Sequence, residues 1–304
     1  MKANLLCMAA MLVWACGFPL IGLLLQTIPP VPLTAIRLVL AAAFLLALWL
    51  GWEGRQAVLA APWGKGLWVG AIGFGFGALL LVYALKLTDP VTVAIISAGM
   101  PVVGIALECL LDQRRLTPGL LAGLLLSIGG GVIACAARLE GLGLGLGAAM
   151  ALIATVVFSW GSRATVKEFP DLTPLGRTAL TIVGATVLVA AIAGLDMAFG
   201  QSDWQWQSLN RREGLLLLAT GIGSLALSQL LWIVGVGRLG VGIASMHVNA
   251  APFYVMIFML MLGSPWSNWQ AFGALVVAAG VLVAQSGRTG SLPVPRWSAK
   301  TDAP

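Results

Sequence analysis

Apolar residues run along this chain in long unbroken stretches, separated by short polar or charged breaks. Ten stretches stand out, near residues 3–25, 32–52, 66–86, 90–111, 117–137, 143–164, 174–196, 213–235, 241–262 and 269–286. Crossing the hydrocarbon as a helix takes about 20 residues, and these stretches are of that order. Strands of a membrane barrel would instead alternate apolar and polar residues over about 10 positions. The pattern therefore predicts an all-α integral membrane protein with ten transmembrane helices. The first stretch has Lys2 ahead of it, as a signal peptide would, but its apolar length of roughly 20 residues exceeds a typical signal core. A permanent helix is expected there.

Two of the stretches read as versions of each other. IISAGMPVVGIALECLL begins at Ile95 and MHVNAAPFYVMIFMLML at Met246, with Pro101 and Pro252 at matching places. Each follows an aromatic-led helix end, YALKLTD from Tyr83 or WIVGVGRLG from Trp232, and precedes a glycine-spaced apolar run containing Gly130 and Gly131 or Gly280. This predicts a first five-helix repeat over 1–138, a second over 139–286, and a disordered cytoplasmic tail over 287–304. Five is odd, so the second repeat enters the membrane from the opposite side, giving a 5+5 inverted repeat around a central cavity. Inverted repeats are a common basis of alternating access. Proline removes a backbone hydrogen bond and kinks a helix, and the freed carbonyls can face only protein or a wet cavity at membrane depth. Pro101 and Pro252 are therefore the expected hinges. Gly73, Gly75 and Gly77, with Gly143, Gly145 and Gly147 and the run Gly235 to Gly242, would serve close helix packing.

Composition agrees with a membrane assignment: 60% of residues are hydrophobic, 9% are charged and the mean hydropathy is +0.98. Soluble domains carry about 25% charged residues. Of the 17 Lys and Arg residues, most fall on the side that holds the amino terminus, including Lys2, Arg55, Lys65, Arg114, Arg115, Arg163, Lys167, Arg177 and Arg238. Lys86, Arg138, Arg211 and Arg212 fall opposite, and Arg37 lies within the second helix. Basic loops stay cytoplasmic, so both termini are expected inside. The topology accounts for the net charge of +6, which leaves no reason to expect a nucleic-acid partner. Cys7, Cys16, Cys109 and Cys135 lie in predicted helices without CxxC spacing, so no disulfide framework, metal or cofactor is expected.

Candidate substrate contacts come from aromatic and polar side chains at membrane depth. Most tryptophans, such as Trp49, Trp52, Trp63, Trp68, Trp266 and Trp269, fall near helix ends where interfacial belts use them. Trp14, Trp160 and Trp232 lie deeper. Helical spacing puts Met11, Trp14 and Phe18 on one face, pairs Phe76 with Tyr83 and Gln229 with Trp232, and aligns Ser245, Asn249 and Pro252. Ordinary core or lipid-facing packing would equally explain each aromatic taken singly. His247 is the one histidine and lies elsewhere around an ideal helix, where a kink could bring it to the cavity. With Ser97 and Met100 of the fourth helix, the candidate substrate-binding set is Trp14, Phe18, Tyr83, Ser97, Met100, Trp160, Gln229, Trp232, His247 and Asn249. Further polar positions are Thr92, Ser159 and Ser162.

Several fragments in order, LVWACGFPLIG, PLTAIRLVLAA with Pro32 and Arg37, YALKLTDPVTVAII, MPVV followed by LLDQRRLTPGLLAGLLLSIGGGV, GRLGVGIASMHVNAAP and NWQAFGALVVAAGVLVA, resemble the drug/metabolite transporter superfamily. The resemblance is to its ten-helix EamA-type members, and within them to the YddG-like aromatic amino-acid exporters. Where the family usually has a glutamate in a GERLT-like pattern, this chain reads DQRRLT from Asp112 and GSPWSN from Gly263. The resemblance implies a monomeric carrier in the bacterial inner membrane that exports aromatic and other neutral amino acids, with lipid as its surroundings. Efflux of drugs or cationic metabolites is the alternative, but it would call for a membrane-embedded carboxylate, and only Glu108, near a helix end, is available. An intramembrane enzyme is disfavoured by the lack of HExxH, GxSxG or paired carboxylates at membrane depth.

Overall fold

The computed structural model describes residues 2–111, 118–136, 142–199, 209–239 and 241–286, and these are helical almost throughout. In chain order the stretches are α1 (Lys2–Leu24), α2 (Pro30–Leu59), α3 (Trp63–Leu87), α4 (Pro90–Leu111) and α5 (Pro118–Ala136). They continue with α6 (Leu142–Glu168), α7 (Pro174–Ala198), α8 (Arg211–Leu239), α9 (residues 241–261) and α10 (Asn268–Ser286). Among the described residues seven stretches, α1 to α4 and α6 to α8, are long and apolar enough to cross a membrane. The sequence pattern predicts ten. The difference arises at α5, whose apolar run Leu121–Gly130 is short, at α9, whose helix is interrupted, and at α10. The predicted tail 287–304, the stretch from Asp112 to Thr117 and Arg138 lie outside the described residues.

Helix starts follow from local chemistry. Proline occupies the first turn of α2, α4 and α7, where its missing N–H costs nothing. Asp89 caps α4 by accepting from the backbone N–H of Val91 and Thr92, each at 3.0 Å. Thr173 caps α7, and Asn210 with Glu213 forms a reciprocal capping box on α8. Buried hydroxyls return their protons to the preceding turn, as Thr34 does to the Pro30 carbonyl at 2.7 Å and Ser159 to that of Thr155 at 2.6 Å. Each such bond satisfies a polar group that would otherwise cost several kcal/mol in hydrocarbon.

Burial is distributed as a lipid-facing protein requires. Leu5, Leu12, Leu121, Leu125, Val187, Leu195, Ile257 and Leu282 are exposed, while Thr34, Arg37, Thr92, Ser159, Ser162, Thr181 and Ser245 are buried. α5 and α10 pair closely: a Cβ on Gly130 would sit 2.8 Å from the Gly273 carbonyl oxygen. α2 runs past the predicted residue 52 to Leu59, turning at Gly54, whose φ of 81° is accessible to glycine. Trp49 proves to be core rather than interfacial. It is fully buried, donates to Glu53 at 3.1 Å, and packs against Trp63.

Besides the turn in α2, helices of the two parts of the chain depart from regular geometry in matching ways. α3 widens to a π-helix over Ala71–Phe76, and α8 does the same over Ala219–Leu227. α4 breaks at Ala98 and Gly99, one residue short of Pro101, and α9 tightens to a 3-10 turn over Ser245–Ala250, one residue short of Pro252. Each π segment carries a Gly-x-Gly, Gly73 with Gly75 and Gly221 with Gly223. The order of π segment, break and proline is the same in both parts of the chain.

Candidate functional site

A cavity with an open mouth lies among α1, α2, α3, α4, α6, α7, α8 and α9. Pockets for small molecules are lined mostly by apolar groups with a few polar ones. The apolar lining here includes Met11, Trp14, Phe74, Met100, Phe158 and Trp232. Both π segments reach it, through Phe74 from α3 and through Ser224 and Leu225 from α8. π-bulges occur frequently at functional sites because the extra residue turns side chains away from the regular helix face.

Two aromatic contacts shape the walls. Phe74 and Phe158 meet edge to face with centroids 5.4 Å apart, and Trp14 meets Phe18 likewise at 4.7 Å. Trp232 is almost fully buried, and its indole N–H donates to Ser162 Oγ at 3.2 Å. Its polar edge is thus held by the protein, and its ring forms part of the cavity lining.

The polar lining is Arg37, Ser97, Thr155, Ser224, Ser228 and Gln229. Thr155 donates to the Ala151 carbonyl at 2.8 Å, Ser224 to that of Thr220 at 3.0 Å, and Ser228 to that of Ser224. With their protons so committed, these oxygens can act toward a guest only as acceptors. Gln229 Nε2 is a buried donor with no acceptor among the described residues. Arg37 Nη2 donates to the Thr220 carbonyl at 3.5 Å, and Arg37 Nε is buried with no acceptor among the described residues.

Of the sequence-derived candidates, Trp14, Ser97, Met100, Gln229 and Trp232 come together on the cavity. Phe18 stands behind Trp14 in the core, and Tyr83 and Trp160 pack on the core formed with α2 and α7. His247 Nδ1 lies 3.1 Å from the Ala244 carbonyl, Asn249 holds a buried Oδ1 without a donor among the described residues, and neither lines the cavity. Pro101 and Pro252 are buried just beyond their backbone irregularities. Arg37, Phe74, Thr155, Phe158, Ser224 and Ser228 are cavity residues outside the sequence-derived set. Arg37 carries a signal, since a charge in the middle of an apolar run is rare and costly.

The cavity lies between α1 to α4 and α6 to α9, so each part of the chain supplies the same number of walls. Residues 1–135 and 145–285 each match the EamA-like transporter family. The chain belongs to that family. Among relatives of this EamA-like transporter is the "Aromatic amino acid exporter YddG" of Ancylobacter novellus, 27% identical over 291 residues, covering 93% of this chain and 94% of that protein. The "Uncharacterized transporter YyaM" of Bacillus subtilis is 27% identical over 276 residues, covering 88% and 86%. A solved crystal structure of a protein at 23% identity shares the fold with a TM-score of 0.69, over 94% of this chain and 96% of that one. The EamA-like transporter is thus a multi-pass membrane protein whose family domain occurs twice, and its cavity is formed where the two copies meet.

Proposed function

We propose that this EamA-like transporter exports neutral amino acids, aromatic ones among them, across the bacterial inner membrane by alternating access. The observation that carries the reading is the cavity itself: aromatic and thioether walls, a few buried polar groups, and equal contributions from both family domains. The name of the Ancylobacter novellus relative supports the substrate class. α5, α9 and α10 complete ten crossings with α1 to α4 and α6 to α8, in two inverted repeats spanning 1–138 and 139–286. The irregular backbone before Pro101 and Pro252 supplies the hinges, and Trp14, Ser97, Met100, Gln229 and Trp232 contact the substrate. Phe18, Tyr83, Trp160, His247 and Asn249 lie further out, where they can shape or gate the path as the halves rock.

A cationic drug fits this cavity poorly, because the one charged residue among its described lining is Arg37. Transport is facilitative. Proton coupling calls for a group at membrane depth that titrates between the two faces, and the described cavity lining contains no Asp, Glu or His. Purified protein in liposomes with equal pH on both sides should equilibrate labelled phenylalanine and show counterflow. An imposed proton gradient should not drive accumulation above equilibrium. Absence of amino-acid counterflow would defeat the reading, and gradient-driven accumulation lost in His247→Ala would replace the facilitative part with proton coupling through His247.

A further inference from the structure

Arg37 is 5% exposed and sits within the membrane-spanning α2. A charge at such depth is expensive unless it is paired or faces a cavity. Its surroundings pair it poorly. The guanidinium offers five N–H donors. One reaches the Thr220 carbonyl at 3.5 Å, the outer limit of a hydrogen bond, and that carbonyl already accepts from Ser224 Oγ at 3.0 Å. Nε is buried with no acceptor, and no carboxylate among the described residues forms an ion pair with Arg37. Gln229 Nε2, on the same cavity, is a second buried donor with no acceptor. An arginine whose role was only structural would have its donors met by the protein, since each buried unsatisfied group costs about 1–3 kcal/mol and charged ones more.

We propose that Arg37 is the anchor for a substrate carboxylate, with Gln229 Nε2 donating to the same guest and the acceptor hydroxyls of Thr155, Ser224 and Ser228 available to its ammonium. This rests on the amino-acid reading above and gives it a polar end. The planar guanidinium fork matches a carboxylate in two parallel bonds, and Arg37 bonds across from α2 in the first family domain to the π segment of α8 in the second. A carboxylate arriving there neutralises the one charge in the described cavity lining, at the junction of the two domains.

The test is competition in proteoliposomes. Labelled phenylalanine counterflow is challenged with phenylalanine, with phenylalaninamide, which lacks the carboxylate charge, and with 3-phenylpropionate, which keeps only the carboxylate. Wild-type protein should bind the amide about 10- to 100-fold more weakly than the amino acid, the range of a charge-assisted hydrogen bond. In Arg37→Gln phenylalanine should weaken by about the same factor, and the preference over the amide should fall to within about threefold. Equal competition by amide and amino acid in the wild type overturns the proposal without any variant, and so does a folded Arg37→Gln that keeps the full preference. If the chain transports no amino acid at all, the functional reading falls by itself. The anchor would then stand on a melting temperature raised by 3-phenylpropionate in wild type but not in Arg37→Gln, and no rise in the wild type would end both.

Discussion

At the scale of single residues, two tryptophans of the same cavity have different duties. Trp14 is half-buried and rests edge-on against Phe18, so its removal opens the cavity without unpairing any polar group. Trp232 is 1% exposed, belongs to the core with Cys7, Met11 and Val248, and holds Ser162 through its indole N–H. Trp14→Ala should therefore weaken apparent substrate affinity by about tenfold, the worth of roughly 1.4 kcal/mol, with little change in thermal unfolding in detergent. Trp232→Ala should cost about 3–5 kcal/mol of stability as well, as large core truncations do. Equal melting temperatures for the two variants would show that Trp232 is not part of the core. Trp14 and Trp232 are legible in the sequence as aromatics at membrane depth. The acceptor hydroxyls are not, because a serine or threonine inside an apolar run looks the same whether it faces lipid, a neighbouring helix or a cavity.

At the scale of elements, the paired π segments explain both what the sequence reveals and what it hides. Spacing along a chain assigns helical faces at 100° per residue, the step of a regular α-helix. A π turn inserts an extra residue and rotates the remainder of the helix, so the face expected of Phe76 is taken instead by Phe74, which lines the cavity while Phe76 is exposed. The pairing of Pro101 with Pro252 is insensitive to this rotation because it rests on order along the chain and not on angle. The glycines within these segments also divide by role. A Cβ on Gly73 would lie 2.6 Å from the Cα of Gly161, so α3 and α6 could not keep their approach, whereas a Cβ on Gly223 meets nothing within 4 Å. Gly73→Ala should lose about 1–3 kcal/mol, the usual cost of overpacking, and Gly223→Ala should be neutral or slightly stabilising. Thermal melting of the two purified variants checks this, and equal tolerance would mean that the α3 to α6 approach is looser than described.

At the scale of the whole molecule, the loops segregate to two ends, and that segregation carries the orientation. Lys65 pairs with Glu168 at 2.8 Å, Thr173 donates to Glu53, and Arg177 donates to the Pro170 carbonyl at 2.8 Å, which gathers the α2–α3 and α6–α7 connections at one end. Gln270 donates to Asp89 at 2.6 Å, and one surface hollow joins Asp89 with Ser264 to Gln270, which gathers the α3–α4 and α9–α10 connections at the other. The hydropathy pattern already implies this alternation, because each apolar run reverses the side of the next loop, but it cannot show which loops touch. Around the first end lie Arg55, Lys65, Arg163, Lys167, Arg177 and Arg238, and around the second lie Lys86, Arg211 and Arg212. On the positive-inside rule we propose that the first end is cytoplasmic. Thr27 and Gln56 are both exposed and stand at opposite ends of α2. In a background with Cys7, Cys16, Cys109 and Cys135 replaced, a cysteine at Thr27 should react with an impermeant thiol reagent in intact cells, and one at Gln56 only after permeabilisation. Labelling of the Gln56→Cys variant from outside would overturn the proposed orientation and invert the protein in the membrane.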